Sequence, residues 1–163
     1  MISIMFLFFT TVYICLINNK KIMKERVLIS TIMTSNVVKL NLSDSLTKAE
    51  LLFKENNIRH IPVVSGSQIV GMLSHSDMLK IAIPDVDEND ECVVSTVYNM
   101  FTLEQVMTKN VETLYHYDYV KTAAEIFSKC DFRALPIVDQ DKNLVGILST
   151  TDLIKFLLSQ FNG

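Results

Sequence analysis

The sequence predicts an α/β (α+β) fold in which two β-α-β-β-α repeats pack as one pseudo-twofold module. Three observations lead there: an internal repeat, hydrophobic spacing that alternates between strand and helix periods within each copy, and a composition suited to a packed core. The segment IMTSNVVKLNLSDSLTKAELLFKENNIRHIPVV, from Ile32, aligns without a gap on VMTKNVETLYHYDYVKTAAEIFSKCDFRALPIV, from Val106. After one extra residue in the second copy, QIVGMLSHSDMLK from Gln68 aligns on NLVGILSTTDLIK from Asn143. Among the coincident pairs are Met33/Met107, Asp44/Asp118, Phe53/Phe127, Arg59/Arg133, Pro62/Pro136, Gly71/Gly146, Ser74/Ser149 and Asp77/Asp152. The 163 residues are 49% hydrophobic and 20% charged, with 4 Gly and 3 Pro, which excludes disordered and loop-dominated chains.

Each copy opens with a short extended run, Val37 to Leu40 or Val111 to Leu114, followed by Asp44 or Asp118 in a position to cap a helix. The apolar residues Leu46, Ala49, Leu52 and Phe53 then recur at helical spacing, and Val120, Ala123, Ile126 and Phe127 repeat that stripe. Two strand-like runs follow, RHIPVV with QIVGML and RALPIV with NLVGIL, each pair joined by polar turn residues. The one difference in length falls in that turn, SGS against DQDKN, where a hairpin tolerates insertion. A second helix begins at Ser74 or Ser149. About 50 residues in this order cannot enclose a core alone, so the two copies are expected to pack sheet to sheet.

These elements divide the chain into an apolar extension over residues 1–22, a first repeat over 23–83, an acidic connection over 84–102 and a second repeat over 103–160. Pro84 ends the first repeat, and DVDENDE reads as a solvated loop. The extension has three readings. Lacking Gly, Ala, Arg and Pro, and rich in Phe, Ile, Met, Asn and Lys, it looks like translated upstream sequence, which makes Met23 rather than Met1 the true start. Alternatively, residues 1–17 form a membrane anchor, kept cytoplasmic on its far side by Lys20, Lys21, Lys24 and Arg26, or they pack into the fold. A cleaved export signal is disfavoured, because those cations follow the apolar stretch instead of preceding it. Cys15, Cys92 and Cys130 lie far apart, so neither a disulfide framework nor a zinc site is expected and a reducing, cytoplasmic compartment fits best. With 15 Lys+Arg against 18 Asp+Glu, a net charge of −3 argues against a nucleic-acid partner.

The segments G-M-L-S-H-S-D, Gly71 to Asp77, and G-I-L-S-T-T-D, Gly146 to Asp152, are the most informative chemically. Ser at a helix start with Asp three residues on resembles a capping box, and the same geometry suits a sugar phosphate: N–H and hydroxyl groups for phosphate, a carboxylate for a ribose diol. Both readings stand on the same residues. These paired segments, the Met-Thr before each first strand and the proline within each h-P-h-V strand together resemble a tandem pair of cystathionine-β-synthase (CBS) domains, or Bateman module, from Ile32 to about Leu158.

The resemblance implies regulatory binding of adenosine-containing ligands (AMP, ADP, ATP or S-adenosylmethionine) in clefts between the repeats. It places Asp77 and Asp152 on ribose hydroxyls, and Ser74, Ser76, Ser149 and Thr151 beside ribose or phosphate. Thr34, Asn36, Thr108 and Asn110, in the segments after each Met, would offer backbone groups and apolar surface to adenine. It further implies that basic residues just before the strand proline reach phosphate: Arg59 and His60 in the first copy, Arg133 in the second, where Ala134 replaces the histidine. The first copy is therefore the better expected polyphosphate site, with part of its charge titrating near neutrality through His60. His75 and His116 have no repeated counterpart, and no residue set has metal-ligand spacing.

The expected function is a stand-alone, non-catalytic module that senses adenine nucleotides and modulates an unknown partner protein in trans. No cofactor is required; the nucleotide is the regulatory ligand. The alternative is a structural or dimerisation module whose clefts are degenerate and empty. An enzyme ranks third, because no nucleophile lies near a plausible base. Apolar surplus in LIKFLL after Asp152 and MLKIAI after Asp77 predicts a homodimer.

Overall fold

The computed structural model describes residues 26–81 and 97–161. The three readings of residues 1–22, and that of DVDENDE, lie outside the described residues. In chain order the elements are a 3-10 turn at Ile29–Thr31, β1 (Leu40–Asn41), α1 (Leu46–Asn56), β2 (His60–Ser65), β3 (Gln68–Ser74), α2 (His75–Ile81), α3 (Leu103–Val106), β4 (Thr108–Lys109), β5 (Leu114–Tyr115), α4 (Val120–Lys129), β6 (Ala134–Val138), β7 (Leu144–Ser149) and α5 (Thr150–Phe161). Both copies thus keep the β-α-β-β-α order, in a mixed α+β architecture with two small sheets, β1-β2-β3-β4 and β5-β6-β7.

The first strand of each copy is shorter than the apolar run suggests. Pairing to the neighbouring hairpin is parallel and only two residues long, Leu40 and Asn41 on Val63 and Val64, and Leu114 and Tyr115 on Ile137 and Val138. Only the last residue of each expected run therefore enters a strand. The aspartate that follows does not cap the helix as the spacing suggests. Its carboxylate accepts the N–H three residues back, Asn41 to Asp44 and Tyr115 to Asp118, both at 2.8 Å, closing the turn between strand and helix. The α1 cap is Ser45 instead, accepting from Lys48 N–H at 3.1 Å. Asp44 reaches the helix ahead of it only through a side chain, Lys48 Nζ at 2.9 Å from Oδ2.

The helical stripes meet the sheets as their spacing requires. Leu46, Ala49 and Phe53 of α1 are buried with Leu40, Ile61, Val63, Leu73 and Met78. Val120 and Ala123 of α4 are buried too, and Ala123 packs with Leu114, Leu135, Ile137 and Leu148. The β2–β3 hairpin turns tightly through Gly66 at φ 65°. Its counterpart is longer and is held by the Asp139 carboxylate, which accepts N–H bonds from Asp141 and Asn143 at 2.9 and 2.8 Å. The two hairpin tips meet: Leu144 N–H donates to the Ser67 carbonyl at 2.9 Å.

The copies also exchange arms, which the linear repeat does not reveal. Ile29 belongs to the second core, where its N–H donates to the Asp118 carbonyl at 2.8 Å, and Thr34 and Ile147 exchange two N–H···O bonds of 3.0 Å. Reciprocally, β4 adds to β3 through Lys109 on Gly71 and Thr108 on Met72, and Tyr98, Leu103 and Met107 enter the first core. Two glycines make this close approach feasible. A Cβ built on Gly71 would stand 2.4 Å from Met107 Sδ, and one on Gly146 would stand 2.5 Å from Met33 Sδ. Each Met-Thr segment is therefore a key seated in the partner repeat's glycine notch.

Candidate functional site

The antiparallel register of β2 and β3 pairs His60 with Ser74, so the residue before the strand lies beside the first residue of α2. Arg59 carbonyl accepts the His75 N–H at 2.9 Å, and in the second copy Arg133 carbonyl accepts the Thr150 N–H at 3.1 Å. This register is what places a basic residue next to each Ser-x-x-Asp helix start. It is local, and it repeats.

Both helix starts are reciprocal capping boxes. At α2 the Asp77 Oδ2 accepts from the Ser74 hydroxyl and from Ser74 N–H at 3.3 Å, while Asp77 N–H returns a 3.1 Å bond to Ser74 Oγ. At α5 the Asp152 Oδ2 accepts from Ser149 N–H at 2.8 Å and from its hydroxyl at 2.7 Å, with a 3.2 Å return bond. The copies differ in the other carboxylate oxygen. Asp77 Oδ1 holds Lys80 Nζ at 2.8 Å, whereas no described residue donates to Asp152 Oδ1. Burial pushes the Asp77 carboxyl up, but Lys80 and the Ser74 hydroxyl and N–H outweigh it, so its net pKa lies below the ordinary aspartate value.

A cleft of about 1030 Å³ opens over α2. It gathers eight of the residues singled out in the sequence: Arg59, His60, Ser74, Ser76 and Asp77 from the first copy, and Thr108, Asn110 and Arg133 from the second. Exchange of arms explains the mixture, because β4 brings Thr108 onto the first copy's sheet. Ser74 Oγ and Ser76 Oγ stand 2.8 Å apart at its edge. His60 is half-buried, and burial is the main cause holding it below the ordinary histidine value; Asp77 pulls the other way, and Arg59 and Arg133 add to the lowering. The expected titration near neutrality is thus displaced to lower pH. Both arginines are exposed, and neither guanidinium has a hydrogen-bond or ion-pair partner among the described residues.

A second cleft, about 380 Å³, is lined by Asp152 and Lys155 with Thr31, Ile32 and residues of α5. Thr34, Asn36, Ser149 and Thr151, also singled out in the sequence as ligand-binding, line neither cleft; Thr34 spends its backbone groups on Ile147, and Ser149 serves the cap. Sequence reasoning passed over Ile58, Met72, Phe132 and Lys80, which line the larger cleft. A signal existed for two of them, since Ile58 and Phe132 immediately precede the paired arginines. Among the described residues no cluster of His, Cys, Asp and Glu is arranged to hold a metal, and no helix is long and apolar enough to cross a membrane.

Fold and site together define a two-repeat module in which the second repeat adds a strand to the first sheet, the first repeat bridges to the second sheet through Thr34, and both frame one polar cleft. The chain belongs to the CBS-domain family, whose profile matches residues 29–83 and 103–159. Protein MJ1225 of Methanocaldococcus jannaschii is 28% identical, with a TM-score of 0.70 over 82% of this chain and 49% of that one. The CBS domain pair of protein MJ0100, solved with 5′-methylthioadenosine and S-adenosyl-L-methionine, shares the fold at 24% identity and a TM-score of 0.67, covering 82% of this chain and 98% of that one. CBSX2, known from Arabidopsis thaliana and also solved in complex with AMP, does so at 23% identity and 0.67, covering 81% of this chain and 96% of that one. The chain spans about a quarter to a half of the length of the curated relatives it matches, among them a homoserine O-acetyltransferase of Methanohalobium evestigatum at 28% identity over 79% of this chain and 24% of that protein.

Proposed function

We propose that this chain is a regulatory module that binds an adenosine-containing nucleotide and modulates a partner protein in trans. The observation that carries the reading is the larger cleft, where Asp77, two serine hydroxyls, a histidine and two unpaired arginines from both repeats converge. Asp77 would accept from the ribose diol, Thr108 and Asn110 would flank the base, and the cations would face phosphate. Asp152 would take the ribose role in the smaller cleft. The adenosine compounds held by MJ0100 and CBSX2 support this choice of ligand class. The acetyltransferase match covers too little of that protein to bring its chemistry here, and a non-catalytic, cytoplasmic module is part of the same proposal.

One observation favours the alternative of a purely structural module: Ser74, Asp77, Ser149 and Asp152 are all accounted for by capping. Thermal-shift measurements with AMP, ADP, ATP, S-adenosylmethionine and cyclic dinucleotides separate the two. Stabilisation by an adenosine compound supports the sensor, and none at millimolar concentration puts the structural module first. Exposed Ile154, Leu157, Leu158 and Phe161 on α5, with Leu79 on α2, support a homodimer through these helices. Light scattering showing a monomer at tens of micromolar would refute that part.

A further inference from the structure

We propose that Met33 is an oxidation site: a peroxide converts its thioether to the sulfoxide, which withdraws the first repeat's arm from the Gly146 notch and loosens the joint between the repeats. This lies outside the nucleotide reading and does not rest on it.

Met33 and Met107 hold equivalent places, each seated on the other repeat's glycine so closely that a Cβ there would stand 2.5 and 2.4 Å from the sulfur. Access separates them. Met107 is 8% exposed, and Met72 and Met78 are buried too, whereas Met33 is partly exposed. Met100 is 71% exposed but belongs to neither hydrophobic core. Met33 is therefore the one methionine among the described residues that is both reachable from solvent and packed against a core. That core is apolar, built on Ile29, Leu135, Ile137 and Leu148 among others, and its side chains offer no hydrogen-bond donor. In the reaction the sulfur lone pair attacks a peroxide oxygen, the S–O bond forms as the O–O bond breaks, and the sulfur loses two electrons while hydrogen peroxide is reduced to water. A thioether suited to an apolar notch becomes a polar acceptor, which is costly to keep there without a donor. Turning the new oxygen to water means lifting the sulfur off Gly146. The neighbouring residues give this a direction. Thr34, next in the chain, exchanges two 3.0 Å backbone bonds with Ile147, and Thr31 and Ile32, on the other side, line the smaller cleft. Withdrawal of Met33 thus acts on the edge of the second sheet and on the wall of that cleft together.

Treating the full chain with hydrogen peroxide, followed by a thiol reductant that reverses cysteine sulfenic acids and disulfides but not the sulfoxide, tests this by peptide mass mapping and thermal melts. Met33 and Met100 should gain an oxygen before Met72, Met78 and Met107. The thermal midpoint should fall by roughly 3–10 °C, in step with oxidation of Met33 and not of Met100. Met33→Leu conserves apolar volume, so it should melt close to the parent and lose the peroxide-induced fall, while Met100→Leu should keep it. Methionine sulfoxide reductases for both epimers should restore the midpoint of the oxidised parent. Oxidation of Met33 no faster than that of Met107, a midpoint unchanged once Met33 is oxidised, or a peroxide-induced fall that persists in Met33→Leu would each overturn the proposal. If Met33→Leu does not fold, the parent's time course decides: a midpoint that tracks Met33 supports the site, and one that tracks another methionine overturns it.

Discussion

Asp77→Asn separates the two roles that one carboxylate combines. In nucleotide-free protein it removes the anionic acceptor of the Ser74 hydroxyl and N–H and the 2.8 Å pair with Lys80. Asparagine still accepts one of those bonds, and Lys80 is largely exposed, so the loss combines a weakened cap of about 0.5–1 kcal/mol with a surface pair worth about 0.2–1 kcal/mol. Wild-type protein held at a hundred times Kd gains about 2.7 kcal/mol from ligand. If Asp77 also accepts from the ribose diol, losing a charged hydrogen bond of about 1.5–3 kcal/mol cuts that gain to roughly 1.3 or 0.3 kcal/mol at the same nucleotide concentration. Differential scanning calorimetry with and without nucleotide reads both quantities. The diagnostic value is the ligand increment, because the nucleotide-free midpoint falls under either role. A variant with a lowered midpoint and an undiminished increment would refute the ribose assignment and leave Asp77 as a helix cap.

Gly71→Ala and Gly146→Ala each drive a Cβ into a methionine sulfur at 2.4 or 2.5 Å, so each should cost about 1–3 kcal/mol, read as a lower thermal midpoint; an unchanged midpoint would show that the arms are loosely seated. A chain beginning at Met23 keeps every described residue and should melt like the parent, whereas one beginning at Ser35 loses fully buried Ile29 and should lose the second core; aggregation of the Met23 chain would show that residues 1–22 pack into the fold. His60 is held below its ordinary value, so its contribution to stability in nucleotide-free protein is present above about pH 6.5 and lost as pH falls through the lowered value, while a polyphosphate bound beside it should raise that value, so that the imidazole takes up a proton on binding. ATP affinity should therefore rise from pH 8 toward pH 6 more steeply in the parent than in His60→Gln, a comparison that subtracts the nucleotide's own titration; identical pH profiles would remove His60 from the site.

The repeat, the order of elements and the residues at each helix start were legible because they are local. Helical spacing identifies Leu46, Ala49 and Phe53 as one face without reference to anything distant, and Ser74 with Asp77 announces a cap within four residues. Errors arose where two local partners compete for one side chain. Asp44 and Asp118 look like caps, but each accepts the N–H three residues back and closes the turn before its helix, and at α1 Ser45 supplies the cap. Lys80 escaped notice because a lysine one turn after Asp77 reads as an ordinary exposed helix position until the ion pair is seen.

What the sequence determined alone is the family and the two-repeat α+β fold, since both follow from spacing along one chain; of the polar residues it singled out, eight line the larger cleft and Thr34, Asn36, Ser149 and Thr151 line neither. Tertiary structure decided how those groups are shared. The exchange of arms joins residues far apart in sequence through Thr34 on Ile147 and Thr108 on Met72, and it depends on shape, the methionine side chains filling the space that Gly71 and Gly146 leave open. It also decided that Arg59 and Arg133, equivalent in the repeat, face the same cleft. Equivalence in sequence is a one-dimensional relation, whereas the field felt by a ligand is set by which charges stand together in space.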